Sequence, residues 1–349
     1  MLRRLGPRER IALFIEQWEP TIRRAFMEAV DAIRSSITLR LLVEAMERND
    51  LSAALDALHI EREAFGGLET AITEAWNAGG IATAEDLNIR DPEGHKVVFR
   101  WNVRDPESEA LIRNHAATLV TRITQEQIEN ARVVLSAGLA RGDNPRTTAL
   151  DLVGRYDRVT GARTGGLIGL SAPHMQTVEN ARQAMLSGDV DGMRHYLTLK
   201  TRDRRFDASI RKAIAEGRAI PAADVARVTG RLSDKYLKLR GDTIALHETF
   251  QALSGSRNLA FVQAIRSGKV DARDVTKTWR HTPQEHPRMQ HVQMQGQTVR
   301  FDQPFIAPDG TPIMHPHAEG VPANHTLGCK CRCDYRIDHT AALIRRRLN

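Results

Sequence analysis

Long apolar runs are missing from this sequence. No stretch approaches the roughly 18 uncharged apolar residues of a membrane-spanning helix, so no membrane span is expected. The opening residues, Met1-Leu2-Arg3-Arg4-Leu5-Gly6-Pro7-Arg8, lack the apolar core of a secretory leader, and none is expected. Cysteine is nearly absent: there are three, Cys329, Cys331 and Cys333. An odd, clustered set argues against a secreted disulfide framework and suits a reducing cytoplasm. Aromatics make up only 5% of the residues, so a core must be largely aliphatic, and the abundance of Ala, Leu, Arg and Glu favours packed helices. The glycine-rich stretch 161–169 has neither the G-x-G-x-x-G spacing nor the Gly-Lys-Ser/Thr ending of a phosphate loop and reads as a turn. No basic stripe with interleaved aromatics is found, which argues against a dedicated nucleic-acid reader. The net charge of +7, from 50 basic and 43 acidic residues, suits an assembly that contains a polyanion.

What is present is a chain of 349 residues, 41% hydrophobic and 27% charged, which can bury a real core and is not a disordered tail. Ile11, Ile15, Trp18, Ile22, Phe26, Ala29 and Ile33 recur at steps of four and three and predict a long helix with one apolar face. Residues 96–103 are β-branched and aromatic and read as a short strand or extended linker. Thr124 and Gln127 form a capping-box pair that predicts a helix start, with Gly142 at its end. Asn144-Pro145 starts the next helix, and Ser171 caps another that ends near Gly188. Leu232, Tyr236, Leu239, Thr243, Leu246, Phe250 and Leu253 predict an amphipathic helix over 233–254, followed by a separate one over 256–267. Beyond Thr276 the periodicity changes. The segment around Trp279, residues 291–294 and residues 298–301 read as short strands, with a hairpin turn at Gln295-Gly296, and Tyr335-Arg336-Ile337 as a last strand. Leu343 to Asn349 is a tail holding Arg345-Arg346-Arg347. The expected fold is mainly α with a smaller C-terminal α+β module, in three segments: 1–95, helical; 96–255, a helical middle domain; 256–349, the module with a Cys/His-rich loop.

Chemistry concentrates in that last segment, which holds His281, His286, His291, His315, His317 and His325 beside all three cysteines. Structural zinc takes four Cys/His ligands tetrahedrally, so Cys331, Cys333, His291 and His325 are the candidate metal ligands. Two other readings stay open here: buried thiols that tie down loops, and a disulfide formed after release from the cell. His315-Pro316-His317 and Asn324-His325 look like fragments of metal nucleases but lack the accompanying carboxylates, and Glu61-Arg62-Glu63 is a bare E-x-E pair on a charged helix. No enzyme activity is expected.

The order of motifs resembles a known family. Residues 237–249 resemble the helix before the signature of the phage Mu protein F-like family. Trp279, then Arg288-Met289-Gln290-His291, Gly296-Gln297, Phe305, Pro316 and Cys331-Arg332-Cys333 follow in the order of its C-terminal module. Asn114-His115-Ala116 and Ile123-Thr124 are similar to its helical part, so the resemblance spans roughly residues 96–338. His247 stands where the family tends to have Arg, and Cys329 is extra to its single C-R-C. The resemblance implies a minor head, or head morphogenesis, protein in the virion head and, during assembly, in the host cytoplasm. Its implied partners are the portal protein, the major capsid protein and packaged double-stranded DNA. No cofactor is expected, apart from the structural zinc that the Cys/His cluster itself suggests. Trp279, Arg288, His291, Gly296, Gln297, Cys331, Arg332 and Cys333 are motif positions with an architectural role, and no catalytic residue carries over. The alternatives are a DNA-binding accessory or ejected protein and, further off, an ADP-ribosyltransferase-type or nuclease effector.

Overall fold

A computed structural model of the chain describes residues 6–91, 93–159, 161–341 and 344. The fold is mainly α, with small antiparallel sheets toward the C-terminal end, as the sequence predicts. Helices α1 (Pro7–Ser36), α2 (Leu39–Glu47), α3 (Leu51–Asp56) and α4 (Gly66–Asp86) lead to the two-residue strands β1 (Ile89–Arg90) and β2 (Lys96–Val97). There follow α5 (Pro106–Arg141), α6 (Pro145–Val153), the small hairpin β3 (Arg155–Tyr156) and β4 (Arg163–Thr164), α7 (Ala172–Ser187), α8 (Val190–Thr198), α9 (Asp207–Glu216) and α10 (Ala222–Arg266). The C-terminal module comprises β5 (Val275–Arg280), α11 (Met289–Gln293), β6 (Thr298–Arg300), β7 (Phe305–Ile306), β8 (Pro312–Ile313), α12 (Ala323–Thr326) and β9 (Arg332–Ile337).

The chain divides into two units that interleave along the sequence, whereas composition suggests consecutive segments. One holds the chain up to Ile22, Glu69–Ala116 and everything from Thr243; the other holds Arg23–Leu68 and Ala117–Asp242. The apolar stripe of α1 is buried at Trp18, Ile22, Phe26, Ala29 and Ile33, while Ile11 and Ile15 are half-buried. In the second unit Arg34, itself buried, donates to the Ile168 carbonyl at 2.5 Å and so fixes the glycine-rich turn before α7. A buried Arg182 lies between Asp151 and Glu179, at 2.8 and 2.9 Å.

Two helix boundaries differ from the sequence prediction. Thr124 and Gln127 do not start a helix. They lie inside α5, whose N-terminus is capped by Asp105, which accepts from the N–H and hydroxyl of Ser108 at 3.1 and 2.7 Å. Gln127 instead uses its amide at long range, donating to Leu170 O at 3.0 Å and accepting from the Gly169 N–H at 2.6 Å. Nor is there a break at 254–256. α10 runs for 45 residues, because Ser254, Gly255 and Ser256 serve packing rather than termination. A Cβ on Gly255 would stand 2.1 Å from Cη2 of Trp76, so the indole sits directly on the helix backbone. The other boundaries agree: Asn144 caps α6 by accepting from the Thr147 N–H at 3.1 Å, Gly142 adopts φ +69° after α5, and Gly188 adopts φ +78° after α7.

In the C-terminal module β5 is the centre of a three-stranded antiparallel sheet, flanked by β6 and β9. Trp279 faces Cys333 across the β5–β9 ladder, and Thr278 faces Thr298 across β5–β6. Residues 291–294, read as a strand from sequence, belong to α11 and the residue that caps it. Gly296, at φ +82°, therefore turns a helix into a strand rather than closing a hairpin. The expected final strand at 335–337 is part of the longer β9. Tyr335 stacks on Phe261 of α10 with ring centroids 4.6 Å apart, which seats the sheet against that helix. The Arg345-Arg346-Arg347 run lies outside the described residues. Among the described residues no helix is long and apolar enough to cross a membrane.

Candidate metal centre

The module has its own small core of Trp279, Met294, Phe305, Ala307, Ile313 and the three cysteines. Trp279, at the end of β5, makes edge-on contacts with His291 and Phe305, at 5.2 and 5.4 Å between centroids. α11 carries His291 into this core, and the turn after α12 brings in Cys329 and Cys331. The donor atoms of His291, Cys329 and Cys331 lie within 4.8 Å of one another, and the group can hold a metal ion. Nδ1 of His291 is 3.3 Å from the Cys329 sulfur and 3.6 Å from the Cys331 sulfur. The Cys331 N–H donates to the Cys329 sulfur at 3.4 Å. Nδ1 of His281, the residue just after β5, is 3.7 Å from the Cys331 sulfur.

Of the four ligands expected from sequence, His291 and Cys331 belong to this group and Cys333 and His325 do not. Cys333 follows Cys331 on β9 but faces Lys277 and Tyr335, and burial pushes its thiol up to about 12. His325 stands behind His291: its Nδ1 is 3.2 Å from Nε2 of His291, and its Nε2 is 2.9 Å from the Asp309 carboxylate. Cys329, extra to the family pattern, is central to the group. The only sequence signal for it was its proximity to the C-R-C.

The contact between Cys329 and Cys331 moves the two thiols in opposite directions. The hydrogen bond from Cys331, helped by His291 and His317, outweighs burial and holds Cys329 well below the usual thiol range. The same contact and burial push Cys331 up, so the pair shares one proton. A thiolate, not a thiol, ligates metal. Trp279 is buried beside the pair and offsets only a small part of that rise in Cys331.

The remaining motif residues build the frame. Arg288, at the start of α11, donates to the carbonyl of Leu327, as its planar fork suits. Gln297 accepts at its backbone oxygen from the Trp279 N–H at 2.9 Å and donates its side-chain amide to Ile306 O at 3.3 Å. Arg332 pairs with Asp334 at 3.5 Å on the outer side of β9. Lys277, fully buried in the middle of β5, donates to Met314 O at 2.7 Å, and burial lowers its pKa to about 8.

The same unit holds two other titratable clusters. Asp91, half-buried, gathers with the exposed Glu93 and His95 at the β1–β2 turn, and Asp91 and His95 bond one another. His115 of α5 bonds Glu248 of α10 at 2.6 Å, with Glu319 at 3.5 Å and Trp76 against the ring. Burial disfavours its charge, but the bonds to Glu248 and Glu319 outweigh that and raise its pKa to about 9. It is a buried ion pair joining two helices. Compared with protein-family models, curated proteins and solved structures, the chain matches none.

Proposed function

We propose that this chain is a minor head, or head morphogenesis, protein of a tailed phage, of the Mu F-like kind, built around a structural zinc centre in its C-terminal module. The observation that carries the reading is a convergence. The motif residues of the resemblance are the ones that build the module's core and its frame. Trp279, His291, Cys331 and Cys333 are buried together, Gly296 takes the positive φ of the turn, and Arg288 ties α11 to the loop before the cysteines. A motif kept for architecture would be expected to fall this way.

The zinc reading rests on the donor set. Two thiol sulfurs and an imidazole nitrogen suit zinc, a borderline-soft ion without geometric preference of its own. His291, Cys329 and Cys331 are 2–3% exposed, which fits a closed structural site rather than a catalytic one with an open position. A small module with short strands gains the most from such a staple. In this reading the protein is not an enzyme; it works in the virion head and, before that, in the host cytoplasm. Its partners are the portal and major capsid proteins, with packaged DNA close by.

Quantitative mass spectrometry of nuclease-treated, gradient-purified particles tests the assignment. A few copies per particle, in fixed ratio to the portal protein, would support it. Intact particles that lack the chain would overturn its place as a head component. Salt-dependent binding of the free chain to any DNA, without presence in particles, would favour an accessory DNA-binding role instead.

A further inference from the structure

We propose that His281 is the fourth ligand of the metal centre, and that Asp309 and His325 form a hydrogen-bonded chain that orients His291 on the metal. The proposal rests on the zinc reading above and deepens it. Zinc bonds of about 2.3 Å to sulfur and about 2.0 Å to nitrogen, arranged tetrahedrally, put ligand atoms roughly 3.5 Å apart. The distances 3.3 Å (His291–Cys329), 3.6 Å (His291–Cys331) and 3.7 Å (His281–Cys331) match three of that tetrahedron's six edges, and His281, which lies outside the group of donors mutually within 4.8 Å, would be drawn inward by the metal to complete the rest. His281 is also held in position. Its backbone N–H donates to the Gln295 side-chain oxygen at 2.7 Å, which fixes the end of β5 beside the turn after α11.

The protons of the chain behind His291 can be assigned by elimination. An ionised Asp309 only accepts, so Nε2 of His325 carries the hydrogen of their 2.9 Å bond. Nδ1 of a neutral His325 then has a lone pair, and it accepts from Nε2–H of His291 at 3.2 Å. That leaves Nδ1 of a neutral His291 unprotonated and facing the two sulfurs, the state a metal requires. The rings meet nearly coplanar, 16° between planes and 5.4 Å between centroids, as an in-plane N–H···N bond demands and face-to-face contact does not. Asp309 is itself fixed, accepting from the Thr311 N–H at 3.1 Å. Carboxylate and histidine partners behind a metal-bound imidazole set its tautomer and raise its basicity. His325 is thus a positioning residue, with both nitrogens engaged, and Cys333 belongs to the sheet core.

The test uses the full chain, purified reduced, with zinc content by mass spectrometry and affinity by competition with a chromophoric chelator. Cobalt(II) substitution reports geometry and the number of thiolates. The expected result is about one zinc per chain, with tetrahedral cobalt bands and charge transfer from two thiolates. Cys329→Ser and Cys331→Ser should lose the metal, whereas Cys333→Ser should keep both affinity and spectrum. His281→Ala should weaken binding at least tenfold and change the cobalt bands. His281→Cys should restore affinity and add a third thiolate's charge transfer, a rescue that a merely structural role would not give. His325→Gln and Asp309→Asn should keep the two-thiolate spectrum while affinity falls about 10–100-fold. A wild-type chain that takes up no zinc or cobalt would overturn the zinc reading itself. A metal-loaded chain in which His281→Ala changes neither affinity nor spectrum, or in which Cys333→Ser removes the metal, would overturn the ligand set alone.

Discussion

Raising the pH should destabilise the unit that contains His115, by an amount that its surroundings set. Burial opposes charging this imidazole, but the bonds to Glu248 and Glu319 win and lift its pKa from 6.5 to about 9. The folded state therefore holds the proton more tightly than the unfolded chain does. The stabilisation is fully present below pH 6.5 and is lost as the pH rises through 9. Its full size is about 3 kcal/mol, of which roughly half disappears between pH 6.5 and 8. Lys277 acts in the opposite sense. Burial lowers its pKa from 10.5 to about 8, so folding gains as the pH rises above 8, and the window below that belongs to His115. All four tryptophans, Trp18, Trp76, Trp101 and Trp279, lie in this unit, and Trp76 is 5.8 Å from the His115 ring. Urea unfolding followed by tryptophan fluorescence thus reads the relevant unit directly. Wild-type stability should fall by about 1.5 kcal/mol from pH 6.5 to 8, and Glu248→Gln should flatten the slope. Equal slopes in both proteins, or an NMR titration of His115 at or below its ordinary 6.5, would refute the reasoning.

Gly255→Ala should cost about 1–3 kcal/mol in thermal or urea unfolding, because the added methyl occupies the place of the Trp76 indole. Arg34→Met should cost about 2 kcal/mol, since it leaves the buried Ile168 carbonyl without its donor, and limited proteolysis should then cut faster in the glycine-rich turn. Asn144→Ala should lower stability by about 1 kcal/mol through loss of the α6 cap, read from the shift in the unfolding midpoint. In the zinc-loaded chain proposed above, a strong chelator should shift Trp279 fluorescence, because that indole packs on His291, while the far-ultraviolet helical signal stays nearly unchanged.

Helices with strong local signals were legible in the sequence. The stripe from Trp18 to Ile33, the Asn144-Pro145 start and the glycines at 142 and 188 all report on their own neighbourhood, and each element stands where its pattern puts it. Failures came where a distant partner decides. Gly255 reads as a stop until Trp76, far away in the chain, is known to need the space. Thr124 and Gln127 have the spacing of a cap, yet Gln127 serves Leu170 and Gly169 across a turn. Around the cysteines the sequence identified the right region and two members of the group, His291 and Cys331. It could not separate Cys329 from Cys333, because both stand two residues from Cys331 and only the start of β9 decides which thiol meets His291. His281 and His325 were equally ambiguous: one faces a sulfur and the other the back of an imidazole, a difference that lies in side-chain direction alone.

The order of the donors along the chain has a kinetic consequence. His281 and His291 come early in the module, whereas Cys329 lies 38 residues beyond His291, just before the last strand takes its place beside β5. Closing a loop of that length is entropically costly, and the β5–β9 ladder completes a closure that contacts such as Arg288 to Leu327 support. A metal captured there would mark a late event, the moment the sheet is complete. Until then the thiols would remain open to oxidation or to the wrong partner. The rate at which zinc enters a refolding chain would accordingly follow strand docking, not helix formation, and the ion would work as a latch that shuts only on a correctly assembled module.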